Sequence, residues 1–159
     1  MGETIIHTHL GPILLKGTAK GLVSLRFTDH QSPSRHSSVI PPFLEEAKDQ
    51  LEDYFSGNRK NFDLELSFQG TPFQESVWKR LLEIPWGQRI TYLDLAKGLG
   101  NPTAIRAVAA AVGKNPLLVV VPCHRVIGSN GSLTGYAAGL QRKQWLLEHE
   151  SQTGQQRLF

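Results

Sequence analysis

Thr91-Tyr92-Leu93-Asp94-Leu95-Ala96-Lys97-Gly98-Leu99-Gly100-Asn101-Pro102-Thr103-Ala104-Ile105-Arg106-Ala107-Val108-Ala109-Ala110-Ala111-Val112-Gly113 is the stretch that decides how the second half of this chain folds. Its first four residues cap a short helix that is expected to reach Leu99. Gly100-Asn101-Pro102 is a tight turn, and Pro102–Val112 reads as a further helix ended by Gly113. Two short helices joined by a glycine-containing turn make a helix-turn-helix pattern. The second helix carries one charge, Arg106, on an alanine-rich cylinder. Small side chains allow close approach to another surface, either the protein core or a nucleic acid. So little charge argues against base reading in the major groove. It suits backbone or minor-groove contact through Thr103, Ala104, Arg106 and Ala107.

Upstream, Thr71-Pro72-Phe73-Gln74 opens a helix with a capping box and proline at the first helical position. It should run to about Ile84 and bury Phe73, Val77, Leu81 and Ile84, after which Pro85-Trp86-Gly87 turns the chain. Residues 4–27 read as a small antiparallel sheet, with strands Thr4–Thr8, Ile13–Gly17 and Gly21–Phe27 and a turn at Leu10-Gly11-Pro12. Asp29–Pro42, rich in Ser, Pro and His, reads as an exposed loop. Phe43–Phe55 has helical spacing (Phe43, Ala47, Leu51, Tyr54), and Phe62–Phe68 alternates like a half-buried strand. Gln69-Gly70-Thr71 marks a boundary. The expected fold is α+β. An N-terminal supporting domain over 1–70 precedes a mostly helical C-terminal domain over 71–159, whose tail is 151–159.

The net charge of +3 is unevenly placed. Residues 1–70 hold seven Lys/Arg against nine Asp/Glu, net −2, and residues 71–159 hold ten against five, net +5. A basic second half suggests a polyanionic partner, most simply nucleic acid. No stretch reaches transmembrane length, the N-terminus does not read as a signal peptide, and a lone thiol suits a reducing cytoplasm.

Downstream of the helix-turn-helix, the sole cysteine lies in Val119-Val120-Val121-Pro122-Cys123-His124-Arg125-Val126-Ile127. The β-branched run is expected to deliver it to a proline-kinked strand end. One thiol forms no intrachain disulfide, and one Cys with scattered His gives no zinc-finger spacing. A buried structural cysteine or a reactive one remains, and the adjoining His124 and Arg125 favour the reactive reading. A thiol of ordinary pKa needs a base or a positive charge to become a good nucleophile. With a turn at Pro122, His124 could serve directly or through one water, and a third group should orient the ring. In a last helix, Leu140–Glu150, residues Leu140, Lys143, Leu147 and Glu150 share a face. A carboxylate on that stripe needs a partner, which an imidazole would supply; the alternative is a solvated helix end. Glu148 should point to solvent.

Pro122-Cys123-His124-Arg125-Val126-Ile127-Gly128 resembles the active-site signature of the methylated-DNA–protein-cysteine methyltransferases, the O6-alkylguanine-DNA alkyltransferases. The likeness runs from Thr71 to about Glu150. It includes Thr91-Tyr92, Gly100-Asn101-Pro102, Arg106-Ala107-Val108, Lys114-Asn115-Pro116, Gly135-Tyr136 and Trp145-Leu146-Leu147-Glu148-His149-Glu150. It implies a ribonuclease-H-like N-terminal domain and a winged-helix-like C-terminal one. It further implies a DNA repair protein that flips an alkylated guanine out of duplex DNA and moves the alkyl group irreversibly onto its own cysteine. In that scheme Cys123 is the acceptor, His124 its base, and Glu150 the group that orients His124. Asn115 holds the turn before the active-site segment. Arg106 fills the gap left by the flipped nucleotide, Tyr92 meets the flipped base and phosphate, and Tyr136 lines the guanine pocket. Arg125 joins the DNA-binding set. No metal or cofactor is implied, and the protein is expected to be a cytoplasmic monomer. Ala137 and Ala138 stand where some relatives carry Ser and Gly, and Leu118 where some carry Pro.

Two other classes compete: a thiol hydrolase using Cys123 and His124, and a damage-recognition module without chemistry. The C-terminal Gln155-Gln156-Arg157-Leu158-Phe159 also looks like the short peptide by which bacterial repair proteins dock onto the replicative sliding clamp. A polar tail with a chance match is the alternative.

Overall fold

A computed structural model of the chain describes residues 1–28 and 40–155. The expected loop over Asp29–Pro42 therefore falls largely outside the described residues, as do Leu158 and Phe159 of the tail; of Gln155 only the helical backbone is described. The chain divides into two compact units, Met1–Gln69 and Gly70–Phe159.

The first unit is a three-stranded antiparallel sheet, β1 (Gly2–Thr8), β2 (Gly11–Thr18) and β3 (Gly21–Phe27), with one helix, α1 (Pro42–Phe55), packed on it. The turn sits at His9-Leu10, one step before the expected position, and Gly11 opens β2 at φ 119°. Registers Ile6↔Ile13 and Leu15↔Leu25 put one alternating apolar row on a single face. Leu44, Ala47, Leu51 and Tyr54 of α1 close over that row, all buried. The burial stripe begins at Leu44, not Phe43, which stays 40% exposed. Phe62–Phe68 is not a strand. It is an extended segment held by one parallel bridge, Leu22↔Leu66, and by buried Gln50, whose amide bonds both the N–H and the carbonyl of Asp63. An alternating pattern needs a long edge to pair with, and here only one residue of β3 is offered.

The second unit begins with α2 (Pro72–Leu81), capped reciprocally by Thr71 and Gln74. It buries Val77, Trp78 and Leu81; Phe73 is 38% exposed, while Ile84 is buried beyond the helix end. The indole N–H of Trp78 donates to the Ala111 carbonyl at 2.8 Å, a buried tie from α2 to the alanine-rich helix. A two-residue strand β4 (Ile90–Thr91) leads into α3 (Tyr92–Gly98), and α4 (Ile105–Gly113) follows the turn at Gly100, φ 78°. Helix α4 starts three residues later than expected, because Pro102 and Thr103 remain in the turn. β4 pairs in parallel with β5 (Val126–Ile127), and α5 (Leu140–Gln155) ends the described chain.

Candidate active site

The valine run before Cys123 is not a strand. Residues 118–120 form tight turns, with Val120 N–H bonded to the Leu118 carbonyl and Val121 N–H to that of Leu117. Val119 sits at φ 72°, a left-handed conformation that costs a β-branched residue about 1–3 kcal/mol. Buried Asn115 holds this bend from inside: its side-chain oxygen accepts from Leu117 N–H at 2.9 Å and its Nδ2 donates to the Val121 carbonyl at 2.9 Å. A run of β-branched valines predicts extension, but an internal side-chain clamp outcompetes it.

Cys123-His124-Arg125 then form one turn of 3₁₀ helix, all three buried. Cys123 is 5% exposed and lies in the wall of a pocket of about 330 Å³, lined by Tyr92, Val112, Leu118, Tyr136 and their neighbours. Burial pushes its thiol up to about 11, against the opposing pull of the Asn115 amide and the Lys143 charge. Burial thus favours the protonated thiol, and a base must take its proton for the sulfur to become a good nucleophile.

His124 is fully buried, and its Nε2 lies 2.7 Å from Glu150 Oε2. Glu150 is 2% exposed near the end of α5. Burial alone would raise its pKa, but hydrogen bonds from His124 and Arg125 bring it down to about 2. Glu150 is thus an ionised acceptor, so the His124 proton sits on Nε2 and the lone pair on Nδ1. Nδ1 has no hydrogen-bond partner, and burial lowers the pKa of the ring, keeping it neutral. The result is an oriented base with its free nitrogen unengaged.

Arg125 is not at a DNA-facing surface. Its Nε and Nη2 grip the two Glu150 oxygens at 2.8 and 2.9 Å, and Nη1 donates to the Ile84 carbonyl. Its guanidinium locks the carboxylate that holds His124. Lys143, read from sequence only as a helix-face residue, is fully buried and donates to the carbonyls of Val126, Thr134 and Gly135. Leu140 on the expected stripe is 49% exposed, while Leu146 and Leu147 are buried; Glu148 is exposed. Two pocket hydroxyls differ. Tyr92 donates to the Thr134 carbonyl at 3.4 Å, whereas the Tyr136 hydroxyl is buried without a partner. Thr103 in the turn before α4 is exposed, as are Arg106 and Ala107 on the helix, the N-cap Ala104 is partly so, and Ala109 and Val112 of α4 line the pocket.

Residues 72–152 match the model of the 6-O-methylguanine DNA methyltransferase DNA-binding domain, and residues 1–68 the model of the ribonuclease-like domain of the same methyltransferase. The chain belongs to the 6-O-methylguanine DNA methyltransferase family. A methylated-DNA–protein-cysteine methyltransferase of Methanosarcina barkeri is 48% identical over 153 residues, covering 92% of this chain and 94% of the relative. One of Salmonella typhimurium is 55% identical over 122 residues, 76% of this chain and 70% of the relative. The crystal structure of Mycobacterium tuberculosis OGT in complex with DNA superposes with a TM-score of 0.85 at 44% identity, covering 95% and 93% of the two chains. The family's two-part organisation is the α+β arrangement described above, a small antiparallel sheet with a helix followed by a mainly helical unit.

Proposed function

We propose that this chain is a DNA repair alkyltransferase that takes the alkyl group of O6-alkylguanine in duplex DNA onto Cys123, once per molecule. The observation that carries the reading is the thiol in the wall of a purine-sized pocket, with an oriented, neutral His124–Glu150 pair beside it in sequence. Thr103 and Ala104 just before α4, with Arg106 and Ala107 on its exposed face, are the surface offered to the DNA, and Ala109, Val112 and Gly113 of the helix line that pocket.

In the proposed step the Cys123 proton passes to His124 Nδ1, directly or through one water. The sulfur attacks the alkyl carbon, an S–C bond forms and the C–O6 bond breaks, its electron pair staying on the purine. The departing guanine takes up one proton, which we assign to the Tyr92 hydroxyl, and Tyr92 recovers it from the imidazolium side. Asn115 fixes the acceptor's turn, and Tyr136 offers its unpartnered hydroxyl to the base. The thioether cannot be cleaved by these groups, which makes the reaction single-turnover. Flipping costs a few kcal/mol and is least costly for a poorly paired base.

All of these groups come from one unit of one chain, which supports action as a monomer, and the lone thiol supports a reducing cytoplasm. The first 70 residues are read as a supporting domain. The tail motif Gln155, Leu158, Phe159 supports docking on a bacterial sliding clamp; deleting residues 155–159 should abolish clamp capture and leave alkyl transfer intact.

The deciding experiment mixes the protein with a duplex carrying O6-methylguanine and measures intact mass. A gain of one methyl on Cys123 that stops at one equivalent is expected. Repeated turnover of a small ester without DNA would instead mark a thiol hydrolase. A DNA mobility shift with no mass change would mark a recognition module.

A further inference from the structure

Ile105 opens α4 as a large apolar side chain left 37% exposed. The other apolar bulk of that helix is placed conventionally: Val108 and Val112 are buried, and the exposed positions after Arg106 include the alanines Ala107 and Ala110. A β-branched residue at an open helix position forfeits helix propensity that alanine would supply, and it leaves apolar surface in water. Broken local rules of this kind are expected at functional positions. Its place on the helix says what this one faces. Ile105, Ala109 and Val112 fall at i, i+4 and i+7 and so share one stripe of α4, and Ala109 and Val112 line the pocket beside Cys123. Ile105 therefore continues that wall by about 6 Å toward the helix N-terminus, beyond the pocket itself. Helical side chains lean toward the N-terminal end, which carries the isoleucine further from the pocket and toward the turn of Thr103 and Ala104. No carboxylate lies in the first turn of α4 to repel a phosphate.

We propose that Ile105 is an apolar wedge beside the pocket mouth, which packs against the base neighbouring the flipped nucleotide and keeps the opened stack from closing. This rests on the reading of α4 as the helix offered to DNA and of the pocket as the seat of the flipped guanine. An alkyl side chain that enters the minor groove partly unstacks a base step, and the apolar surface it removes from water offsets part of the lost stacking. Arg106 and Ala107 do not offer such a surface on this side. Consecutive helical residues point about 100° apart, so the charged Arg106 projects elsewhere, and Ala107 is too short. What Ile105 recognises is the face of a nucleobase, which all four bases present, so the contact favours opened duplex without reading sequence.

The test measures methyl transfer from O6-methylguanine in a duplex, and in the single strand of the same sequence, by wild type, Ile105→Ala and Ile105→Leu. Ile105→Ala should slow the duplex reaction about tenfold, the loss expected when carbons partly buried on a base are removed. The single-strand reaction, where no stack must be held open, should stay within about twofold of wild type. Ile105→Leu restores the apolar reach and should stay within about threefold of wild type on the duplex. Equal duplex rates for wild type and Ile105→Ala overturn the proposal, as does an Ile105→Leu protein as slow as Ile105→Ala. A loss of equal size on the single strand, or in the reaction of Cys123 with iodoacetamide, would make Ile105 a structural residue and overturns it too. Failure of wild type to gain a methyl from either DNA indicts the acceptor reading instead. The wedge is then decided without chemistry, by 2-aminopurine placed beside the lesion. Its fluorescence should rise on binding of wild type and rise several-fold less with Ile105→Ala; equal rises overturn the proposal.

Discussion

The Glu150 carboxylate stands 2.7 Å from His124 Nε2, and its same two oxygens are held by Arg125 from the next position in the chain. Two adjacent residues of a 3₁₀ turn thus converge on one carboxylate 25 or more residues away. Replacing Glu150 with Gln leaves a buried Arg125 without a counter-charge and presents an amide N–H₂ to at least one of three donors. We expect a stability loss of about 3 kcal/mol in urea unfolding at pH 7. Single-turnover methyl transfer should slow by about a hundredfold, as for loss of a positioned base. An unchanged transfer rate would remove Glu150 from the mechanism.

The raised Cys123 thiol makes an alkaline prediction. Unfolding returns the thiol to its ordinary value of 9.0, whereas the folded value is about 11. Between these values the unfolded state has released a proton that the folded state retains, so stability falls as pH rises from about 9 to about 11. Two pKa units correspond to about 3 kcal/mol. A Cys123→Ser protein should lack this part of the alkaline loss when urea unfolding of the two is compared. Parallel curves would mean that the thiol is not held protonated.

Acid acts through Glu150. Its folded pKa of about 2 lies below the ordinary 4.5, so the stability it contributes is complete above 4.5 and disappears as pH falls toward 2. Neutral, buried His124 adds in the same direction, since protonation on unfolding favours the unfolded chain at low pH. Wild type should therefore lose stability between pH 4.5 and 2 more steeply than Glu150→Gln, measured by thermal unfolding across that range.

Tyr92 lies at the pocket wall with its hydroxyl on the Thr134 carbonyl. Tyr92→Phe removes the proton donor assigned to the departing purine while keeping the ring. The transfer rate on saturating DNA should fall at least about tenfold, at the lower edge of general-acid effects. Full rate with weaker DNA binding would refute the assignment.

Arg106 is exposed on α4. Arg106→Ala should leave stability within about 0.5 kcal/mol of wild type. Iodoacetamide reactivity of Cys123 should be unchanged, while DNA affinity falls and the log–log salt slope drops by about one. Undiminished affinity for DNA would place the nucleic acid on another face.

The sequence by itself determined what depends on neighbours along the chain. Thr71 with Gln74 and Thr91 with Asp94 form capping boxes, and Gly100 turns between two helices, because these interactions close within four residues. The pairing of His124 with Glu150 was also legible, since a carboxylate on an apolar helix stripe requires a partner. Tertiary structure decided the rest. The valine run bends because Asn115 satisfies the turn's backbone from inside, and Phe62–Phe68 makes a single bridge, to Leu22, in place of a strand. Arg125 turns inward to Glu150, Lys143 is enclosed by three carbonyls, and Trp78 replaces Phe73 in the core by bonding Ala111. For Arg125, Lys143 and Trp78 a long side chain found a polar partner well beyond its own turn of chain, and burial made that partner compulsory, which no local pattern encodes.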